Sequence, residues 1–138
     1  MKKLLLTILF LFAAIPLMAQ KYDHPIDKAT EDCMEKDMST AGMVKCLNEA
    51  YDKYDNELNR LYKILMKKLD DDSAKELKSA QIEWIVFRDK EFKLIDAVYS
   101  KLEGTMYIPM RVSDRIEIVK KRVLDFEAYA DLAGISIK

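Results

Sequence analysis

The chain has 138 residues, 50% of them hydrophobic and 34% charged, with only three Gly, three Pro, two Cys and one His. That length suits one domain, and 23 basic against 24 acidic residues leave a formal charge of -1, without the basic excess that a phosphate-tracking surface needs. Nucleic acid is therefore not an expected partner. Three glycines are too few for phosphate-cradling loops or a turn-rich β fold, and the wealth of Leu, Lys, Glu, Asp and Ala predicts an all-α protein.

Residues 1–19 join a basic start (Lys2, Lys3), an apolar run from Leu4 to Ile15 and a Pro16-Leu17-Met18-Ala19 exit. This is the layout of a secretory signal peptide. The run falls short of the ~20 residues a membrane-spanning helix needs, and with no Cys at the cut, lipid attachment is not expected. Cleavage after Ala19 leaves 20–138 as the working domain. Losing Lys2 and Lys3 from 23 basic groups leaves 21 against 24 acidic ones, or -3. The expected location is outside the cytoplasm, periplasmic or secreted. Export gives the two cysteines a meaning, since in an oxidising compartment Cys33 and Cys46 can pair. A bond closing so short a loop stabilises by roughly 3 kcal/mol in the chain-entropy view. Two thiols thirteen positions apart and His24 make no recognisable zinc spacing, so no metal and no cofactor is expected.

Along the mature chain, 20–27 reads as an extended lead-in with a proline, followed by a short helix from about Lys28 to Lys36. Residues 38–42 form a break in which Ser39 or Thr40 serves as an N-cap. Met43, Leu47, Ala50, Tyr51, Tyr54, Leu58, Leu61, Tyr62, Leu65 and Leu69 then recur at steps of three and four. They mark one apolar stripe along a helix over 43–70. Ser73-Ala74-Lys75-Glu76 fits a capping box. The next stripe runs through Leu77, Ala80, Gln81, Trp84, Ile85, Arg88, Phe92, Ile95, Val98, Tyr99 and Leu102 to a stop at Gly104. Residues 105–112 read as the longest irregular connection. A last helix spans about Ser113 to Leu132, with Ile116, Val119, Val123, Phe126 and Ala130 facing inward. The expected fold is a small antiparallel bundle of about four helices, stapled by one disulfide.

A tight turn at 71–72 folds helix 43–70 back on helix 73–103, so residues whose numbers sum to about 143 become neighbours. This register places Asp55 beside Arg88, Asn59 beside Trp84, Tyr62 beside Gln81, Leu58 beside Ile85 and Tyr51 beside Phe92. It also offers partners to the two polar residues of the second stripe, Arg88 and Gln81.

Catalytic sets are hard to assemble. Glu49, Asp52 and Asp55 lie on adjacent turns, but acid–base work needs carboxyls in different environments, which spacing does not supply. Asp70-Asp71-Asp72 lacks the spacing and glycine of a calcium loop and reads as a solvated hinge at the positive end of the next helix. His24 has no Ser or Cys nucleophile at a telling distance. The helical spacing of Tyr51, Tyr54, Tyr62 and Trp84 favours core packing over a binding platform, and the scattered methionines suit gap filling.

Several segments in order carry a resemblance: the Cys33 to Cys46 interval, Asp55-Asn56-Glu57-Leu58-Asn59-Arg60-Leu61-Tyr62, then Ala80-Gln81-Ile82-Glu83-Trp84-Ile85-Val86-Phe87-Arg88-Asp89, then Gly104-Thr105-Met106. Together they resemble the LprI-like family of secreted lysozyme-inhibitor domains. The resemblance implies a small helical bundle without enzymatic activity and a protein partner, a lysozyme-type muramidase. An envelope module with some other protein partner is the alternative. The motif residues carry over as Asp55, Leu58, Asn59, Tyr62, Gln81, Trp84, Arg88 and Asp89, and the fold-back register makes most of them a polar and aromatic lock between two helices. One departure stands out, because many members carry further cysteines after the F-R-D stretch and before the last helix. Here Phe92 stands in the first region and no Cys occurs in 105–138, so packing of Phe92 is expected in place of a second staple. An inhibitor must block a cleft holding two carboxylates. Two segments offer the hydroxyls and positive charge for that: Lys36 to Gly42, with Lys36, Ser39 and Thr40, and Thr105 to Arg111, with Thr105, Tyr107 and Arg111. The mildly acidic mature charge should attract a basic lysozyme weakly, acting on encounter rate.

Overall fold

The structure, a computed structural model, describes residues 24–137; the expected signal peptide lies outside the described residues. Four helices follow in order: α1 (Pro25–Met34), α2 (Thr40–Lys68), α3 (Asp71–Tyr99) and α4 (Tyr107–Leu132). No strand occurs among the described residues, and Cys33 is bonded to Cys46 with their Cα atoms 5.8 Å apart. The fold is thus the stapled helical bundle that composition and periodicity predict.

Three starts are set by side chains that accept from free backbone N–H groups of the first turn. His24 Nδ1 accepts from Ile26 at 3.2 Å, Ser39 Oγ from Gly42 at 3.0 Å and Asp70 Oδ1 from Ser73 at 2.9 Å. Ser39 is the expected cap, whereas the other two correct the sequence reading. The lead-in is not extended up to residue 27, because Pro25 occupies the first turn, where its fixed φ suits a helix and its missing N–H is no loss. Ser73 does not open a capping box; its hydroxyl donates to Asp70 Oδ2 at 2.8 Å, and Asp70 caps the helix instead. The final connection is also shorter than expected. Gly104, at φ +116°, turns the chain, and α4 begins at Tyr107, with Pro109 inside its first turn.

The buried faces of α2 and α4 form the core. Tyr54, Leu58, Leu61 and Leu65 meet Val119, Val123 and Phe126, all at 2% exposure or less, and each such side chain contributes roughly 1.5–3 kcal/mol on leaving water. α2 packs most extensively on α4, while α3 leans on α4 and touches α2 less. This departs from the simple fold-back picture, in which α2 and α3 are the main pair. The short turn fixes the direction of α3, but the continuous stripe of Ile116, Val119, Val123, Phe126 and Ala130 on α4 makes the better partner for α2. Contacts such as Tyr62 on Phe126 and Leu65 near Tyr129 show that α2 and α4 run parallel, with α3 returning between their ends. α1 runs antiparallel to α2. The chain closes with Gly134 at φ +64° and bonds from Ile135 N to Ala130 O and from Gly134 N to Asp131 O, a Schellman end. This returns Ile135 and Ile137 to the core, where Arg60 holds the Ile137 carbonyl at 2.7 Å.

Candidate functional site

Because α1 and α3 run up and α2 and α4 run down, the turn at 35–39 and the connection at 100–106 fall at the same end of the bundle. The two segments chosen from sequence as partner-binding loops are therefore brought to one end. The first is tightly fixed. The disulfide ties its flanks, Asp37 Oδ1 accepts from Ser39 N at 3.0 Å, and Ser39 Oγ caps α2. Gly42 closes the turn from inside, since a Cβ there would lie 2.2 Å from Asp37 Cγ. Hydrogen bonds from Ser39 hold the Asp37 carboxyl below the usual carboxylate range. Lys36, Met38 and Ser39 are exposed, and Thr40 is partly covered.

The second segment divides. Thr105 and Met106 are exposed at the tip, whereas Tyr107 and Arg111 belong to the first turns of α4 and face α3. Tyr107 meets Tyr99 edge to face at 6.4 Å, and Tyr99 donates to Asp114 at 2.6 Å. Asp96 draws in Arg115 and stands 4.0 Å from Arg111. Arg111 and Tyr107 therefore brace the α3–α4 hairpin while keeping a solvent-facing side.

The motif residues lie along the α2, α3 and α4 contact, in an arrangement that corrects the expected pairs. Tyr51 does meet Phe92, with ring centroids 6.1 Å apart. Arg88 is not bonded to Asp55. Its Nε and Nη2 donate to Asp89 Oδ1 at 3.0 and 2.7 Å, and its guanidinium lies over Trp84 and Phe92. Asn59 turns back to Asp55 one turn earlier on α2. Tyr62 stacks on Phe126, and Leu58 is core, while Ile85, 40% exposed, is not. Gln81 is buried, but its partner is Arg122 of α4, whose Nε donates to Gln81 Oε1 at 3.1 Å. The Arg122 guanidinium lies 4.6 Å from the Phe126 centroid and 5.8 Å from that of Trp84. Burial lowers its pKa. Phe92 sits between Tyr51 and the guanidinium groups of Arg88 and Arg115, in the region where the resemblance would place a cysteine.

Family-model comparison matches residues 31–126 to "Lysozyme inhibitor LprI". The chain belongs to the LprI lysozyme inhibitor family. That segment runs from α1 to the core of α4 and holds the staple, both loops and every motif residue. Among solved structures, an uncharacterised protein of Burkholderia thailandensis is 31% identical with a TM-score of 0.75, over 81% of this chain and 56% of that one. The chain thus spans little more than half of that relative's length. No curated protein matches it. Among the described residues, no helix is long and apolar enough to cross a membrane, and no group of three or more His, Cys, Asp or Glu side chains is placed to hold a metal ion.

The reading from sequence missed a polar cluster that seats α1. Tyr54 is 1% exposed and donates to Asp27 Oδ1 at 2.7 Å, while Lys120 stands 2.7 Å from Asp27 Oδ2. His24 is buried against the Tyr54 ring at 5.1 Å, with Nε2 3.6 Å from Glu127. Its signal was Tyr54 itself, a hydroxyl in the middle of the α2 stripe that needs an acceptor. Burial and the bond to Asp27 push the Tyr54 hydroxyl far above its usual pKa. Burial pushes Asp27 upward, but hydrogen bonds from Lys120 and Tyr54 together outweigh it, so its pKa is lowered. A depressed folded-state pKa adds stability that is present above the unfolded value, about 4, and is lost as pH falls through the folded value. Melting temperature should therefore drop as pH is lowered below about 4. Asp27→Asn should be less stable at neutral pH and lose less over that range; parallel pH curves for the two proteins would contradict the assignment.

Proposed function

We propose that this protein is an exported, non-enzymatic inhibitor that binds lysozyme-type muramidases with the end of the bundle carrying Lys36–Gly42 and Thr105–Arg111. Membership of the LprI family is the observation that carries the reading. The local chemistry agrees with it. A muramidase cleft presents two carboxylates to its substrate, and this end offers Lys36, the Thr40 and Thr105 hydroxyls, the Tyr107 phenol and Arg111. The disulfide and the Asp37–Ser39–Gly42 turn hold the first loop in one shape, which lowers the ordering cost of binding. The motif residues Asp55, Leu58, Asn59, Tyr62, Gln81, Trp84, Arg88 and Asp89 serve the bundle that presents these loops rather than the contact itself.

The test is clearance of a turbid cell-wall suspension by lysozyme with increasing amounts of the purified, folded protein. Clearance should slow in proportion to inhibitor, and Lys36→Glu combined with Arg111→Glu should weaken the effect at least tenfold while the helical circular dichroism stays unchanged. Absence of both inhibition and lysozyme binding by a folded sample would overturn the reading and favour an envelope partner of another kind.

A further inference from the structure

At the end of the bundle away from the two loops, a pocket of about 310 Å³ lies between the last turns of α2, the first turns of α3 and the late part of α4. Its lining is mostly apolar. Leu65 and Leu77 are 0% and 8% exposed, and Leu69 extends the same surface. One buried charge belongs to this lining, because Arg122, 9% exposed, borders the same space. Its guanidinium is fixed by the Nε bond to Gln81 at 3.1 Å and by the rings of Phe126 and Trp84 at 4.6 and 5.8 Å. Its terminal edge is not used. Nη2 is buried without an acceptor, Nη1 makes no hydrogen bond either, and no carboxylate among the described residues forms an ion pair with Arg122. A buried cation without a counter-ion costs free energy that a bound anion can offset. Burial accordingly lowers its pKa, outweighing the attraction of Tyr129 and Asp125.

We propose that this pocket binds a small amphipathic monocarboxylate, whose oxygens accept from the Nη1–Nη2 edge of Arg122 and whose apolar body lies on Leu65, Leu69 and Leu77. A guanidinium presents a fork of N–H donors that matches the two oxygens of a carboxylate. The Tyr129 phenol borders the same pocket and has no hydrogen-bond partner among the described residues, so it supplies a further donor. An apolar pocket with a few convergent polar groups is the usual form of a small-molecule site. Volume sets the size of the ligand. A cavity of about 150 Å³ holds benzene, so about twice that volume suits a chain of roughly six to eight carbons and not a long-chain lipid. Charge sets the ionic state, because Glu76 stands exposed at the rim and disfavours a second negative charge on the ligand. The pocket lies at the opposite end from Lys36–Gly42 and Thr105–Arg111 and does not rest on the muramidase reading.

Titration of the purified, ¹⁵N-labelled protein with sodium hexanoate at neutral pH should give saturable amide shifts centred on Leu69, Ala80 and Arg122, with a dissociation constant of about 1 mM or below. Hexanamide keeps the chain and drops the charge, whereas acetate keeps the charge and drops the chain. Each should bind about tenfold more weakly or worse. Gln81→Leu combined with Arg122→Met replaces the polar pair by apolar groups of similar size, so the helical circular dichroism should stay unchanged. That variant should lose the preference for hexanoate over hexanamide, which a merely structural role of Arg122 would leave in place. Absence of saturable hexanoate binding would overturn the proposal. So would equal binding of hexanoate and hexanamide by the wild-type protein, or a preference for hexanoate that survives in the double variant.

Discussion

Replacing Cys33 and Cys46 together by Ser should lower the unfolding free energy by about 3 kcal/mol and the melting temperature on the order of 10 °C. The bond closes a short loop, with a sequence separation of 13, but its leverage comes from what it holds. α1 contains no buried residue of its own. It rests on the core through the partly buried Ile26 and Met34 and through the Asp27 contacts to Tyr54 and Lys120. A ten-residue helix with so little apolar burial does not persist alone in water, so without the staple it should open before the rest of the bundle. Two measurements separate this local opening from global loss. Thermal unfolding by circular dichroism reports the whole bundle, and trypsin cleavage after Lys36 or Lys28 reports α1. The serine variant should be cut there faster by a larger factor than its global stability alone explains. Equal melting temperatures and unchanged cleavage would show that α1 is held by its noncovalent contacts. Under the proposed function the same variant should also inhibit lysozyme less, since the Lys36–Gly42 turn loses one of its two anchors.

The sequence made some elements legible and hid others for identifiable reasons. The stripe from Leu47 to Leu65 is a regular three-and-four pattern, in which Leu47, Ala50, Tyr54, Leu58, Leu61 and Leu65 are buried and Tyr51 and Tyr62 are partly buried against the core. The inward positions of α4 were equally plain. α3 was not, because apolar residues surround it: Ile82, Ile85, Val86, Phe87, Leu94 and Val98 are all exposed, while Gln81 is buried. A period can place such a helix but not orient it, and the inferred stripe wrongly took in Ile85, Val98 and Leu102. The i-to-j register from the 71–72 turn placed Tyr51 on Phe92 correctly, near the far end of the two helices. It failed for the polar residues because their partners lie elsewhere: Gln81 is met by Arg122 of a third helix, while Arg88 and Asn59 bond Asp89 and Asp55 on their own helices. Residues 20–27 read as extended and 105–112 as irregular, yet Pro25 and Pro109 each lie in the first turn of a helix, the one place where proline fits. Both partner-binding segments could be named from composition, but their meeting at one end follows only from the directions of four helices.

Arg122 is the residue whose loss should separate this three-helix arrangement from a two-helix lock. Arg122→Ala is expected to cost about 3 kcal/mol, from two sources. The buried Gln81 carbonyl loses its 3.1 Å donor and is left unsatisfied in a dry contact. The guanidinium also leaves the faces of Phe126 and Trp84, which removes both cation–π attraction and the cover of a long side chain. Arg122→Met keeps much of that cover and eliminates a buried charge, so its cost should be about 1 kcal/mol, all of it traceable to Gln81. Gln81→Leu combined with Arg122→Met should recover that remainder, because two apolar groups then replace a polar pair. Arg88→Ala, by contrast, removes an ion pair to the exposed Asp89 and the partly exposed guanidinium over Trp84 and Phe92, and should cost no more than about 1 kcal/mol. The decisive quantity is the order of these losses in denaturant unfolding. Arg122→Ala well above Arg88→Ala places the lock between α3 and α4, where Gln81 and Trp84 meet Arg122. The reverse order would restore Arg88 and α2 to that role and would mean that the parallel pairing of α2 with α4 carries less of the fold than its buried face indicates.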